Sequence, residues 1–474
     1  MDYLVPIIIG SESDLEIGLK IQKIFKTYFN IKSEIRICSA HKACLELLKI
    51  LQQYESNTDV KLYITIAGKS NALSALVDGN SSKPVISCPP LKDSSMYDIY
   101  SSISMPSGIS PLTILGAENA VISATKIIGL SCDNLKKQII DYKNNMQTKL
   151  HIQDIKCKYE INNCDMLNND SLNNCIKNTQ IDEPSFTDLQ LLRTGKVRDI
   201  YTYPHINDLK NEEYVMVASD RVSAFDRHLT TIPHKGIVLH KISNWWFEQT
   251  QNMVPNHIIS SLNDRTMIVK KCKVLPIEFV MRAYMTGSTE TSIWKNYEKG
   301  CRNYCGHALQ DGMVKNQKLP EILLTPTTKD EHDEIISEQE IYDRNIIEPY
   351  IFKQCQSYAF KLFTYGQNVA KQKGLILVDT KYEFGLDIDG NICLVDELHT
   401  PDSSRYWLKH SYTERFNNNQ EPESIDKEVV RKWVKENCDD PYNLNNNIEI
   451  PDHIRIKLSS KYLQLYELIT GKII

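Results

Sequence analysis

Apolar residues in the first 130 positions switch repeatedly between strand and helix spacing. Residues 5–9 form a continuous apolar run, as expected of a strand buried on both faces. Ile17, Ile21, Ile24 and Tyr28 then recur at helical intervals, with Leu15, Leu19 and Phe25 widening the stripe. Ile35 and Ile37 alternate with polar residues and lead into Ser39-Ala40-His41-Lys42. Residues 45–51 read as helix. Leu62, Ile64 and Ile66 alternate and end in Ala67-Gly68-Lys69-Ser70-Asn71. A short strand at 84–88 precedes Pro89-Pro90. This βαβαβ pattern predicts an α/β domain with a parallel sheet.

Periodicity then fades. Residues 145–185 are Asn-rich and polar and read as a linker, with a partly ordered helix near its start. From about 186 onward the pattern is that of one α+β domain. Strands are expected at 214–218 and 279–284, the latter with Arg282 near its end. A long helix ends at Gly374, and two more helices close the chain. The predicted domains are 1–144, a linker 145–185, and 186–474.

The stretch LVDTKYEFGLDIDGNICLVDE carries an Asp389-Gly390 pair between two alternating runs, a strong signal for a two-residue hairpin turn. Such a turn pairs Ile388 with Asn391, Asp387 with Ile392 and Glu383 with Asp396. It sets the last two carboxylates opposite each other, with Cβ atoms about 4.5–5.5 Å apart. Strand period two adds Asp379 and Lys381 to the same face. Three carboxylates and an ammonium there predict a site for a divalent metal and a phosphate.

Composition sets the boundaries. A chain of 474 residues, 41% hydrophobic, predicts two or three domains with sizeable cores. A net charge of −5 gives no general attraction to nucleic acid or an anionic membrane, and no apolar run nears the length of a bilayer span. The acidic start does not read as a signal peptide. Thirteen cysteines form no CxxC pair. Cys301 and Cys305 lie closest, without a histidine cluster to complete a zinc set. Reduced thiols in a cytoplasmic protein are the expectation.

Three hydroxyl-rich turns follow strands of the first domain: Gly10-Ser11-Glu12-Ser13-Asp14, Ser39-Ala40-His41-Lys42 and Ala67-Gly68-Lys69-Ser70-Asn71. Each alone is an ordinary helix cap. Together they project from one sheet edge, where ligands of such sheets bind. With ISCPP and MPSG they closely resemble phosphoribosylaminoimidazole carboxylase over nearly all of residues 3–130. The resemblance implies a flavodoxin-like three-layer fold. AGKSN, standing where the bacterial mutase type carries His-Leu-Pro-Gly, points to the animal-type enzyme, which uses carbon dioxide directly, without ATP or biotin. The family reading makes His41 and Lys42 catalytic. A histidine suits a proton shuttle, and a lysine can steady the developing carboxylate. Ser11, Ser13, Asp14 and Ser39 would hold the ribotide, and Ser70 and Asn71 would line the carbon dioxide pocket. Ala72 replaces a common glycine there.

The second half carries GKVRDIY, SDRVSAFD, HKG, MRAYMTGS, TPTTKDEHDE, VDTKYEFG, LVDE and TPDSSRYW. Over about residues 187–440 these resemble the succinocarboxamide ribotide synthetase, an α+β ATP-dependent ligase. That family activates the carboxylated ribotide with ATP and couples it to L-aspartate, releasing ADP and phosphate. The resemblance implies Lys196 and Arg198 at ATP. It places Ser223, Arg282, Ser288, Asp379, Lys381 and Arg405 at the ribotide, with Asp220 in the same cleft, and magnesium at Glu383 and Asp396. His234 and His399 depart from the family pattern and read as packing residues. The combined expectation is a bifunctional enzyme of purine synthesis acting on small molecules, with a homo-octameric core. Two alternatives stand beside it: a first domain that serves only as an oligomer scaffold, and a second that is a kinase-like phosphotransferase.

Overall fold

The computed structural model describes residues 3–90, 99–162, 167–179, 189–202, 212–225, 227–329, 334–443 and 448–474. The chain divides into two units, Met1–Gln147 and Thr148–Ile474.

In the first unit the apolar run forms strand β1 (Leu4–Ile9), with all residues after the first buried. It is joined by β2 (Lys32–Ile37), β3 (Tyr63–Ile66), β4 (Val85–Ser87) and β5 (Leu112–Thr113). The five run parallel in the order β2-β1-β3-β4-β5. Period two sorts their side chains between two layers. Ile7, Ile9, Ile64 and Ile86 pack with Ile21, Phe25 and Val121 on one face. Ile8, Tyr63 and Val85 pack with Leu47, Leu51 and Val77 on the other. The expected three-layer parallel domain is therefore present. Its strand order reverses direction between β1 and β3, the place where such sheets open a ligand crevice.

The second unit is built on two antiparallel sheets. One orders Ile258–Ser261, Thr266–Lys270, Glu213–Ala218, Arg198–Thr202 and Gln190–Thr194. The other centres on the long strands Lys273–Tyr284 and Leu375–Leu386, flanked by Lys318–Leu324, Ile392–Val395 and Ser404–Leu408. Helix Pro349–Gln372 packs on the second sheet. Pro349 stands in its first turn, and Gly374, at φ 74°, ends it. A Cβ on Gly374 would lie 2.4 Å from Thr148 Cγ2, so glycine is required there on two counts.

Two expectations meet a different outcome. The stretch read as a linker belongs largely to the second unit. Ile152, Ile155 and Tyr159 are buried in its main core, and Lys158 pairs with Glu467 at 2.7 Å. Residues 163–166 and 180–185 of that stretch lie outside the described residues.

The hairpin register is also shifted by one. Leu386 pairs with Ile392, and Glu383 lies opposite Val395, not Asp396. Asp387 is the cause. Its Oδ1 accepts the N–H groups of Asp389 (3.1 Å) and Asn391 (2.8 Å), and its backbone N–H donates to the Asn391 carbonyl (3.0 Å). The loop thereby takes three residues, with Gly390 left-handed at φ 79°, the alternative hairpin geometry for such a sequence.

Candidate active sites

In the first unit the predicted turns stand at the carboxyl ends of β1, β2 and β3. A Cβ on Gly10 would lie 3.4 Å from the Ala67 side chain, so the turns after β1 and β3 meet at the crevice. The Ser11 and Ser13 hydroxyls are 2.6 Å apart, and both donate weakly towards buried Asp14 (3.4 and 3.5 Å). Ser39 Oγ accepts from the Lys42 backbone N–H at 3.4 Å, and His41 and Lys42 are exposed on that turn.

Asn71 is held by bonds on several sides. It is buried, and it caps helix Ala72–Gly79 by accepting from Ser74 N–H (3.2 Å) and Ser74 Oγ (2.9 Å). Its amide donates to Ser87 and Ser102, each at 2.8 Å. Asn71 thus fixes the shape of the crevice floor, while Ser70 beside it stays exposed. Ala72 is the first residue of that helix.

In the second unit the central strands place charged side chains in two rows. Arg282 lies directly opposite Asp379, and Asp379 opposite Arg405. Arg405 donates to Asp379, while Arg282 stands 3.7 Å from Asp379 and donates from Nε to Thr325 Oγ1 at 2.9 Å. Four residues along, Glu278 faces Glu383 in direct register. These two carboxylates would repel if unaccompanied. The ammonium of Lys381 joins them, at 2.6 Å from Glu278 and 3.0 Å from Glu383, and Lys329 also bonds Glu383. Burial works against the charged form of Glu383, but Lys381 and Lys329 outweigh it and hold the carboxyl at about 2. Lys381 stays well above the usual lysine range because Glu383 and Glu278 overcome its burial. A cation between opposed carboxylates is thus present, but the partner of Glu383 across the ladder is Glu278.

Asp396 joins this cluster by another route. The strand ends at Val395, and Asp396 turns into the left-handed region at φ 66°. Desolvation raises its carboxyl to about 6, the nearby charges of Glu383 and Glu397 adding to the shift and Arg198 and Lys381 opposing it. A third of its side chain (33%) remains open to solvent. A crowded, raised carboxyl beside a second acid is an environment that a divalent cation would relieve. Two carboxylates completed by water and phosphate oxygens is a set that magnesium accepts, so Glu383 and Asp396 fit that ion. Among the described residues no group of three or more His, Cys, Asp or Glu is placed to hold a metal.

Arg198 links this cluster to the Gly195–Lys196 turn. It is buried and pairs with Asp396 (3.2 Å) and Glu397 (2.8 Å). Lys196, exposed, sits on the tight turn between Gln190–Thr194 and Arg198–Thr202. That turn needs Gly195, because a Cβ there would meet the Arg198 carbonyl at 2.5 Å. Ser223 Oγ donates to the Lys196 carbonyl at 3.2 Å. Ser288 has a buried hydroxyl oxygen, and its carbonyl accepts from Lys435 Nζ at 2.9 Å.

Asp220 is a latch. Arg265 grips it with two bonds (2.8 and 3.0 Å), and its carboxylate also accepts the N–H groups of Gly236 (2.9 Å) and Ile176 (2.8 Å). Glu278, Lys329, Glu397 and the buried Lys235–Asp402 pair were absent from the predicted site, although all but Glu278 stand inside the quoted motifs. Glu278 lies four residues before Arg282 and therefore on its strand face, a signal that period two carries.

His399 is a packing residue. It is fully buried, its Nε2 is 2.5 Å from the Tyr382 hydroxyl, and its ring meets Trp246 edge-on. His234 adopts φ 60° just before helix Lys235–Thr250. Burial lowers His399 and His257 to about 3 and, aided by Arg198, His240 to about 4. An unfolded histidine titrates near 6.5. The unfolded chain therefore binds more protons between these values, and stability falls as pH drops from about 6.5 towards 4. In denaturant titrations of the full chain, His257→Leu is expected to remove one proton's share of that slope, about 1.4 kcal/mol per pH unit at most. An unchanged slope would show that His257 titrates normally in the fold.

The comparisons with known proteins agree with these two units. Residues 191–446 match the family model for SAICAR synthetase, and residues 4–149 match that for AIR carboxylase. The chain belongs to the SAICAR synthetase family, with an AIR carboxylase domain preceding it. The chloroplastic phosphoribosylaminoimidazole-succinocarboxamide synthase of Arabidopsis thaliana is 51% identical over 303 residues, which is 64% of this chain and 72% of that protein. The solved SAICAR synthase of Saccharomyces cerevisiae, complexed with SAICAR, is 33% identical. It covers 63% of this chain and 99% of its own, with a TM-score of 0.52. PurE of Treponema denticola is 41% identical over 34% of this chain and 98% of its own, with a TM-score of 0.31. Among the described residues no helix is long and apolar enough to cross a membrane.

Proposed function

We propose that this bifunctional enzyme of purine biosynthesis carboxylates aminoimidazole ribotide with carbon dioxide in its first unit. Its second unit then couples the product to L-aspartate at the expense of ATP. The observation that carries the reading is the pair of charged rows, Arg282–Asp379–Arg405 and Glu278–Lys381–Glu383, standing inside a family-matched synthetase domain.

In the first unit the crevice turns receive the ribotide through Ser11, Ser13, Asp14 and Ser39. His41 moves the proton that leaves the ring carbon, and Lys42 steadies the new carboxylate by charge. In the second unit Arg282 and Arg405, fixed by Asp379, present guanidinium groups to the ribotide, and Lys381 presents an ammonium. Lys196 and Arg198 serve the ATP phosphates. Magnesium held by Glu383 and Asp396 would neutralise phosphate charge during transfer. Activation of the carboxylate as an acyl phosphate makes it open to attack by the aspartate amine, with phosphate as leaving group. Exposed apolar residues on the first unit, among them Ile37, Leu45, Leu112 and Leu130, support its assembly into a homo-octamer. The described cysteines form no disulfide, which fits a cytoplasmic setting.

The test is a substitution at the proton shuttle. His41→Ala is expected to slow carboxylation by roughly a hundredfold or more while aspartate-dependent ADP release from supplied carboxylated ribotide stays at the wild-type rate. Equal carboxylation by wild type and variant would make the first unit a scaffold.

A further inference from the structure

The segment before the synthetase match holds the nucleotide turn in place. Residues 150–190 lie outside both family matches, yet part of that span is bonded into the phosphate end of the second unit. The Thr179 hydroxyl donates to Asp199 Oδ2 at 2.7 Å and lies 2.7 Å from the Tyr201 hydroxyl, which itself donates to the Thr179 carbonyl at 2.8 Å. Thr179 and Asp199 are both buried. Ile176 exchanges two bonds with Asp220, each 2.8 Å, and the Lys177 carbonyl accepts from Arg221 at 2.6 Å.

These contacts converge on one target. Asp199 orients Arg221 by two bonds, of 2.6 and 3.1 Å. Arg221 in turn donates to the Gly195 carbonyl at 3.0 Å. The next two carbonyls of the turn are also held from the same strand and its approach: that of Lys196 by Ser223 Oγ (3.2 Å), and that of Val197 by the Ser219 N–H (2.9 Å) and Oγ (2.6 Å). Three consecutive carbonyls are thereby fixed in direction, and the base of the Lys196 side chain with them. Thr179, through Asp199 and Arg221, reaches the turn from outside the matched synthetase sequence, and the Lys177 carbonyl bonds the same arginine.

We infer that Thr179 is a positioning residue for the ATP-dependent reaction, acting through Asp199 and Arg221 on the Gly195–Lys196 turn. The inference rests on the reading of Lys196 as an ATP contact. A hydroxyl bonded to a buried carboxylate sets the angle of that carboxylate, and small misplacements of a phosphate-binding group reduce productive binding steeply.

The experiment compares Thr179→Val, Thr179→Ser and Lys196→Met in the full chain. It measures KM for magnesium-ATP, KM for aspartate and carboxylated ribotide, kcat, and carboxylation by the same preparations. Thr179→Val is expected to raise KM for magnesium-ATP on the order of tenfold, the effect of losing one hydrogen bond to a charged group. The other Michaelis constants and carboxylation should hold, and Thr179→Ser should restore the wild-type value. A Thr179→Val enzyme with unchanged KM for magnesium-ATP overturns the inference. So does one in which all constants worsen together and serine gives no rescue, since that is general loss of folding. If Lys196→Met also leaves that KM unchanged, the assignment of the turn to ATP fails; if only the Thr179 variants are silent, that assignment stands and the positioning role alone is lost.

Discussion

Lys381→Met is expected to abolish formation of the succinocarboxamide ribotide and to leave carboxylation at its wild-type rate. Two effects combine. On the proposed role of Lys381 the ribotide loses a fixed ammonium, and a group so placed contributes on the order of a hundred- to a thousandfold in rate. The protein loses the cation between Glu278 and Glu383, which face each other in register. Lys329 remains on Glu383, but among the described residues Glu278 keeps only the Thr327 hydroxyl at 3.3 Å. Removing one partner of a buried ionic group costs about 3–5 kcal/mol. The two effects separate in a double variant. Glu278→Gln combined with Lys381→Met relieves the uncompensated charge, so thermal stability should largely return while synthetase activity does not. Recovery of both would mean that Lys381 acts only on folding.

Lys235→Met is expected to destabilise the second unit by a similar amount, about 3–5 kcal/mol. Lys235 is fully buried, and its ammonium pairs with Asp402 at 2.7 Å. Tyr462 also donates to Asp402. Burial opposes the charged form of Asp402, but Lys235 and Lys427 outweigh it and hold the carboxyl far below its usual range. Methionine leaves that buried carboxylate with the Tyr462 hydroxyl as donor and Lys427 as the remaining nearby cation. Urea unfolding of the full chain reads the loss, and Asp402→Asn added to Lys235→Met should restore part of it. A single variant as stable as wild type would show that the pair contributes nothing net.

Local signals in the sequence were sufficient for the charged sheet face. Period two put Asp379, Lys381 and Glu383 on one side of one strand, and all three stand in the charged rows described above. The continuous apolar run at 5–9 and the switching between strand and helix spacing gave the parallel sheet of the first unit, because strands buried on both faces have few other readings. What failed was register. The turn type depended on the Asp387 side chain, which captures two backbone N–H groups and adds a residue to the loop. A shift of one residue replaced Asp396 by Val395 opposite Glu383. Glu278 could not be paired with Glu383 from sequence, since about a hundred residues separate the two strands and no turn ties them. The stretch at 145–185 was obscured by its asparagines. Ile152, Ile155 and Tyr159 keep helical spacing within it, and that spacing is what buries them.

The sequential pairing of the two activities is tested most directly with isotopic carbon. Purified full-length protein is given aminoimidazole ribotide, labelled bicarbonate, L-aspartate and magnesium-ATP, and the product is analysed together with ADP. The label should appear in the new amide carbonyl of the succinocarboxamide ribotide, with one ADP formed per product and none when aspartate is withheld. ADP release at the same rate without aspartate, or product that forms only from supplied carboxylated ribotide, would contradict it.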